Sequence, residues 1–420
     1  MNLYNEPFPR AVLHVDGDSF FVACELTKFP ELKGLPVVTG SEKGIASAMS
    51  IEAKARGITR GMPVHKMKQV CPEVVMLHSD FKLYAQYSQR MVDIIKRYTN
   101  KVEAYSIDEC FVDLTGLDEE LHLSYREIAE RIKRDLECEL GITFSIGVSM
   151  NKTLAKVASH FSKPAGLTLI APFEISHYLS QHAISDVWGI GRRTAQALRG
   201  WNIHTAQDLT QKDNRFMARH FAKPLQVTTD ELRGSYINPV NYSGKREYQS
   251  MSRTQTLSKP TTDKEVLFSE LSRNVERVCK MLRSRKMFGA KVSIFLKTQQ
   301  FEYQVTDFEL TYAVATPSEI MKQLRKHFTT LFKAGVLYRA TGVTVSQLTT
   351  ASRETLNLFG EETNRKRYDE LYTSLDAINH KLGHNSVILA SSYTSESRRA
   401  YATPVSRLHR LNIPLLGVVY

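Results

Sequence analysis

Apolar positions along this chain recur with two different periods. Ala11-Val12-Leu13-His14-Val15 is a short β-branched run that stops at Asp16-Gly17-Asp18, and helix-compatible spacing follows from Ser19 to Glu25. A strand that ends in exposed acidic residues is predicted. Residues 102–114 read as a hairpin-like pair of apolar runs interrupted by Ser106-Ile107-Asp108-Glu109, and two carboxylates inside such a run need a reason to be there. A third strand is predicted over 144–150, with Asn151 as N-cap of a helix that carries Leu154, Val157, Ala158 and Phe161 at helical spacing.

Further along, the periods alternate in a fixed plan. Strand-like 248–257 precedes a helix over 264–284 with Leu267, Leu271, Val275, Val278 and Leu282 on one stripe. Strands over 290–298 and 301–312, a helix over 317–334 and a strand over 338–348 complete a β-α-β-β-α-β unit, one sheet covered by two helices. The Gly/Asn/Ser-rich run 238–245 marks a linker before it. Between 174 and 235 the chain reads as short helices around Val187-Trp188-Gly189-Ile190-Gly191-Arg192-Arg193, where Gly-x-Gly lets backbone N–H groups approach a phosphate closely. The fold class predicted is α+β and multidomain.

Composition narrows the function classes. At 420 residues with 42% hydrophobic and 24% charged positions, the chain has ordinary globular usage and length for about two to four domains. The formal net charge is +12, and residues 245–350 hold 18 Lys or Arg against 9 Asp or Glu, so most of the excess lies there. A polyanion such as nucleic acid is the expected partner. Five scattered cysteines without a C-x-x-C pair argue against structural zinc and fit a reducing, cytoplasmic setting. No run of about 18 apolar residues occurs, so neither membrane spanning nor a membrane partner is expected.

Asp16, Asp108 and Glu109 form the sharpest candidate constellation. Carboxylates converging from two strands hold divalent cations for in-line phosphoryl transfer, whereas a helix N-terminal acid and a polar turn explain the same spacing without any metal. Spacing alone leaves both open.

The residues around these carboxylates go further. His14-Val15-Asp16-Gly17-Asp18-Ser19-Phe20-Phe21-Val22-Ala23-Cys24-Glu25 and Tyr105-Ser106-Ile107-Asp108-Glu109 resemble the two catalytic motifs of Y-family translesion DNA polymerases. The stretches 44–57 (GIASAMSIEAKARG) and 151–166 (NKTLAKVASHFSKPAG) and the Gly189-Ile190-Gly191 hairpin occur in that family's order, over roughly residues 10–350. The resemblance implies a right-hand polymerase with palm and fingers over 1–173 (fingers about 26–80), a helix-hairpin-helix thumb over 174–240, a little finger over 245–350 and a tail over 351–420.

It implies error-prone, DNA-directed synthesis past damaged bases, in DNA repair and SOS damage tolerance, by a two-metal nucleotidyl transfer. Asp16, Asp108, Glu109 and the Gly17 carbonyl would hold two Mg²⁺ ions, with Mn²⁺ as a substitute. Phe20, Phe21, Ile51, Lys54 and Lys163 would contact the dNTP, with Phe21 as the steric gate against a 2′-hydroxyl. At two of these positions the chain departs from many members of the DinB branch, which carry Tyr and Arg where Ile51 and Lys54 stand, and the Glu-Ala-Lys form is closer to the UmuC branch. Gly189, Gly191, Arg192 and Arg193 in the thumb, with Ser252 and Arg253 in the little finger, would grip primer–template DNA. Leu356, Leu358 and Phe359, in a segment that has Thr355 where the family often has Gln, resemble a peptide that binds the bacterial sliding clamp. A UmuD-like subunit and a recombinase filament are partners implied by the UmuC-like features. The competing readings are a partner-dependent UmuC-like subunit and a non-catalytic DNA- and clamp-binding scaffold, the latter of which would tolerate loss of the carboxylates that are present here.

Overall fold

The computed structural model describes residues 8–243, 248–350, 362–383 and 385–395. The chain forms two compact units that divide between Lys245 and Arg246. The strands of the first are β1 (Val12–Gly17), β2 (Val37–Thr39), β3 (Ala48–Met49), β4 (Val75–Leu77), β5 (Val102–Ala104), β6 (Glu109–Asp113), β7 (Phe144–Ser149) and β8 (Leu167–Leu169).

Five of them make one sheet in the order β5-β6-β1-β7-β8. β1 is its centre, antiparallel to β6 and to β7, while β8 joins β7 in parallel. Both faces of this sheet are covered, which is why residues 12–15 are all buried, His14 among them, rather than alternating between apolar and exposed polar positions. Leu13 and Val15 join the core beneath helices Phe81–Ile95 and Tyr125–Leu140. Val12, His14 and Asp16, one residue out of step, face helix Lys152–Phe161 on the other side, where Val12 packs with Ala155. Asn151 caps that helix by accepting from the Leu154 N–H, as its sequence predicts.

Beside the large sheet stands a three-stranded one, β3-β2-β4, packed on helices Ile51–Ala55 and Val64–Val70. Five short helices between Ile175 and Leu232 gather on Leu154, Val157 and Ala158, the outer side of helix Lys152–Phe161.

In the second unit β9 (Ser250–Thr261), β10 (Met287–Thr298), β11 (Tyr303–Val314) and β12 (Tyr338–Thr350) form an antiparallel sheet in the order β11-β10-β12-β9. Helices Lys264–Ser284 and Pro317–Leu331 cover one face, in the β-α-β-β-α-β order read from the sequence. The predicted stripe Leu267, Leu271, Val275, Val278 and Leu282 is fully buried, each side chain worth about 1.5–3 kcal/mol of transfer free energy.

Helix Lys264–Ser284 is buried on a second side as well. The tail returns along it: Asp376, from helix Glu362–Lys381, pairs with Arg283, the Leu389 N–H donates to Glu276, Ser391 bonds Ser272, and the Ser395 N–H donates to Ser269. Polar residues on the outer side of this helix, Ser269 and Ser272 among them, therefore lie inside the fold. No helix among the described residues is long and apolar enough to cross a membrane.

Candidate active site

Antiparallel pairing sets Asp16 opposite Glu109 and His14 opposite Phe111. Directly paired residues project to the same face, so both carboxylates point toward helix Lys152–Phe161. That helix lies hard against the sheet because β7 presents Gly147 opposite His14, where a Cβ would sit 2.1 Å from the Ala155 carbonyl oxygen. Close approach brings Lys156 Nζ to 2.8 and 2.7 Å from the two Glu109 oxygens. Lys163, in the turn after the helix, places Nζ 2.7 Å from Asp16 Oδ1.

One oxygen of Asp16, one of Glu109 and a ring nitrogen of His14 lie within 4.8 Å of one another. The Asp16 carboxyl is raised to about 6, by burial first and by Glu109 as well, with Lys163 pulling the other way. Burial holds the His14 ring neutral, well below its usual pKa, with Lys156 and Lys163 acting the same way, and its Nδ1 bonds the Ser159 hydroxyl at 2.7 Å. Two half-buried carboxylates that draw two ammonium groups onto themselves are a donor set that suits a hard divalent cation of the Mg²⁺ or Mn²⁺ kind.

Asp108 sits at the head of β6. Its carbonyl accepts the Gly17 N–H at 2.9 Å, which ties the tip of β1 to the turn, and its carboxylate accepts from the Ser106 hydroxyl. Gly17 has a steric reason to be glycine, since a Cβ there would lie 2.7 Å from the Phe20 ring. The structure thus joins Asp16 directly to Glu109 and holds Asp108 beside Gly17.

Phe20 and Phe21 diverge. Expected among the nucleotide contacts, Phe20 is 3% exposed and belongs to the core under β1, because successive residues at the start of helix Phe20–Lys28 point about 100° apart. Phe21 stays partly open; its ring stacks on Tyr84 at 4.3 Å and meets Phe81 edge-on at 5.5 Å. Tyr84 is itself fixed by donating to Glu25 at 2.7 Å. Ile51 and Lys54 are both exposed, three residues apart on one side of helix Ile51–Ala55.

Gly189 has φ +87°, and Gly191 is the N-cap of helix Arg192–Arg199; Val187 and Ile190 are buried beneath them while Arg192 and Arg193 are exposed. Trp188 lies against Phe111 and donates to the Tyr105 hydroxyl at 3.2 Å, and Lys156 Nζ sits 5.4 Å from the Tyr105 ring centre and 5.7 Å from that of Trp188. The hairpin is thereby connected to Glu109 through two aromatic rings and one lysine. In the second unit Ser252 and Arg253 are both partly buried and root on opposite faces of β9. Met251 is buried under the helices, so strand alternation puts Arg253 on that side and Ser252 on the open face of the sheet. Leu356, Leu358 and Phe359 lie outside the described residues.

Lys156, His14 and Tyr84 escape a reading by motif. Lys156 and His14 stand inside quoted motifs, yet only the pairing of β1 with β6 and the closeness of the helix show that they meet the carboxylates. Tyr84 stands about sixty residues from Phe21, and no local period links the two.

Comparison with known proteins places the chain in a family. Residues 15–160 match the impB/mucB/samB family and residues 248–358 match the C-terminal domain of that family. DNA polymerase IV of Desulfatibacillum aliphaticivorans is 30% identical over 390 residues, 92% of this chain and 98% of that protein. DNA polymerase IV of Staphylococcus epidermidis (strain ATCC 12228 / FDA PCI 1200) is 31% identical over 353 residues, covering 83% and 98%. Among solved structures, the Y-family DNA polymerase chimera Dbh-Dpo4(243-245)-Dbh superposes with a TM-score of 0.69 at 23% identity, over 81% of this chain and 99% of that one. DinB from Sulfolobus solfataricus superposes at 0.52, with 23% identity over 80% and 98%. A relative of this identity matched over almost its whole length settles the kinship: the chain belongs to the impB/mucB/samB family, the Y-family DNA polymerases.

Proposed function

We propose that this polymerase extends a primer across damaged template bases by two-metal nucleotidyl transfer at Asp16, Asp108 and Glu109. The observation that carries this reading is the pairing of Asp16 with Glu109 across β1 and β6, with the Lys163 and Lys156 ammonium groups drawn onto them. These carboxylates and the Gly17 carbonyl would hold two Mg²⁺ ions, with Mn²⁺ as a substitute. Bound there, the ions would lower the pKa of the primer 3′-hydroxyl and neutralise the triphosphate.

The chain's own residues do the rest. Lys163 exchanges Asp16 for a phosphate oxygen when the nucleotide enters, a role that suits a compact point charge on a flexible stem. Lys156 keeps Glu109 oriented. Phe21, backed by Tyr84, forms a floor under the sugar that a 2′-hydroxyl would strike. Lys54 and Ile51 line the open side of the site, Lys54 as a second cation for the triphosphate.

Gly189, Gly191, Arg192 and Arg193 hold the duplex backbone, and exposed N–H groups with nearby guanidinium groups grip phosphates without reading bases. Residues 1–173 then act as palm and fingers, 174–240 as thumb, and the basic 245–350 as a little finger whose open face includes Ser252. One structural relative of this fold is an insertion ternary complex of Dbh DNA polymerase, in keeping with binding of primer–template and dNTP together. Clamp binding through Leu356, Leu358 and Phe359, a UmuD-like subunit, a recombinase filament, a role in the SOS response and a cytoplasmic location rest on the sequence alone.

Primer extension by the purified chain with Mg²⁺, on intact and abasic templates, tests this function. Extension with dNTPs past the lesion that disappears in Asp108→Ala supports it. Equal extension by both proteins would refute the carboxylate site, and binding of DNA without extension by either would favour a scaffold.

A further inference from the structure

Asp18 is the second carboxylate of Asp16-Gly17-Asp18, and it does not join the first. It is 8% exposed, and both its oxygens are engaged elsewhere. Oδ1 accepts from the buried Ser145 hydroxyl at 2.7 Å and Oδ2 accepts the Ala165 N–H at 2.8 Å. Its own N–H donates to the Thr143 carbonyl at 3.1 Å, which fixes the backbone from which the carboxylate projects.

Ala165 belongs to the turn 162–166, whose only lysine is Lys163. This turn is tight and conformationally demanding. Ala165 has φ +59°, a left-handed conformation that residues with a Cβ disfavour. Gly166 has no room for a side chain, because a Cβ would lie 2.0 Å from the Ser162 carbonyl oxygen. Two further ties close it: the Gly166 carbonyl accepts the Ile146 N–H at 2.9 Å, and the Ser162 and Thr168 hydroxyls bond at 2.7 Å. Lys163 leaves the turn and reaches Asp16.

We propose that Asp18 is a positioning residue for the incoming nucleotide: by holding the Ala165 N–H it fixes turn 162–166 and so determines where Lys163 presents its ammonium group. A buried carboxylate on a backbone N–H is a strong, directional tie, and it suits an acceptor that must hold an unfavourable φ in place. The strand end then serves twice. Asp16 faces the reacting phosphates, while Asp18, two residues on, aims the lysine that meets them. This inference rests on Lys163 contacting the triphosphate.

A double-mutant cycle separates the two ideas. Asp18→Ala is expected to raise KM for dNTP by about tenfold with a smaller change in kcat, as for a lost substrate-orienting contact. Asp18→Asn, whose amide oxygen can still accept from Ala165 while its NH₂ donates to Ser145, is expected to restore most of it. Added to Lys163→Ala, Asp18→Ala is expected to cost less than about twofold more, because its effect runs through the missing lysine. Amide exchange at Ala165 is expected to be slow in the wild type and fast in Asp18→Ala. Should Asp18→Ala not fold, Asp18→Ser, too short to reach Ala165, carries the same expectations. Effects of Asp18→Ala and Lys163→Ala that multiply, or an unchanged KM in a folded Asp18→Ala, would overturn the proposal. An unchanged KM in Lys163→Ala alone would instead refute the role of Lys163.

Discussion

Lys163 Nζ stands 2.7 Å from Asp16 Oδ1. A carboxylate that burial pushes up to about 6 is thereby kept beside a positive charge, and the lysine is held within reach of the place where a triphosphate would lie. On the proposed function a nucleotide would exchange this contact, the ammonium finding a phosphate oxygen as it leaves the carboxylate.

Loss of that lysine should act on nucleotide binding. A hydrogen bond to a charged group contributes about 1.5–3 kcal/mol, and every 1.36 kcal/mol is tenfold. Lys163→Ala should therefore raise KM for dNTP by about ten- to a hundredfold, read from steady-state insertion at fixed primer–template. A change within about twofold would show that the lysine serves only to neutralise Asp16.

Sugar selection should depend on Phe21 and, behind it, on Tyr84. If Phe21 is the proposed floor under the sugar, Phe21→Ala should raise ribonucleotide insertion relative to deoxyribonucleotide by at least about tenfold. Tyr84→Ala takes away the ring stacked at 4.3 Å and should produce a smaller rise, whereas Tyr84→Phe keeps the ring and should change little. Competition between rNTP and dNTP on one template distinguishes the three, and an unchanged ratio in Phe21→Ala would remove the residue from this role.

Much of this was legible in the chain. The β-α-β-β-α-β unit follows from long, cleanly periodic runs, and β1, β6 and β7 from short apolar runs bounded by polar turns. What the sequence cannot show is which residues a strand pairing or a close helix brings together. Lys156 reads as one more cation on an amphipathic helix until Gly147 lets that helix settle onto the sheet. Ser252 and Arg253 are neighbours in a predicted strand that turns them to opposite sides, and only burial of Met251 shows which of the two faces the helices. Phe20 and Phe21 match one motif, yet the helix period sends the first into the core.

The tail is a case where nothing in the sequence predicts the seat of helix Glu362–Lys381. Arg283 donates Nε and Nη2 to the two oxygens of Asp376 at 2.7 and 3.0 Å and gives Nη1 to the Ala315 carbonyl. The pair is partly buried, so its loss should cost about 1–3 kcal/mol, between exposed and fully buried pairs. Asp376→Ala should lower the urea midpoint of the second unit accordingly. A cost under about 0.5 kcal/mol would mean that the tail adds little stability to that unit.

Acid should weaken the first unit through His182. Burial holds this ring below its usual pKa, and the neighbouring His160 acts in the same direction. The unfolded chain protonates the ring below pH about 6.5 while the folded chain resists, so this contribution is fully present above that pH and is lost as pH falls toward the folded value. Between about pH 8 and about pH 5.5 the wild type should lose more stability than His182→Gln, by urea titration at each pH. Parallel losses in the two proteins would show that the ring does not report on this range.

On the proposed function Asp16, Asp108 and Glu109 form the reacting centre. Single-turnover insertion of one dNTP, measured for the wild type and for Asp16→Asn, Asp108→Asn and Glu109→Gln, tests it most directly. Rates should fall by at least about a thousandfold in the two aspartate variants and substantially in the glutamate variant, with primer–template affinity within about threefold of the wild type. Insertion by either aspartate variant within about tenfold of the wild type would rule these carboxylates out as the reacting centre.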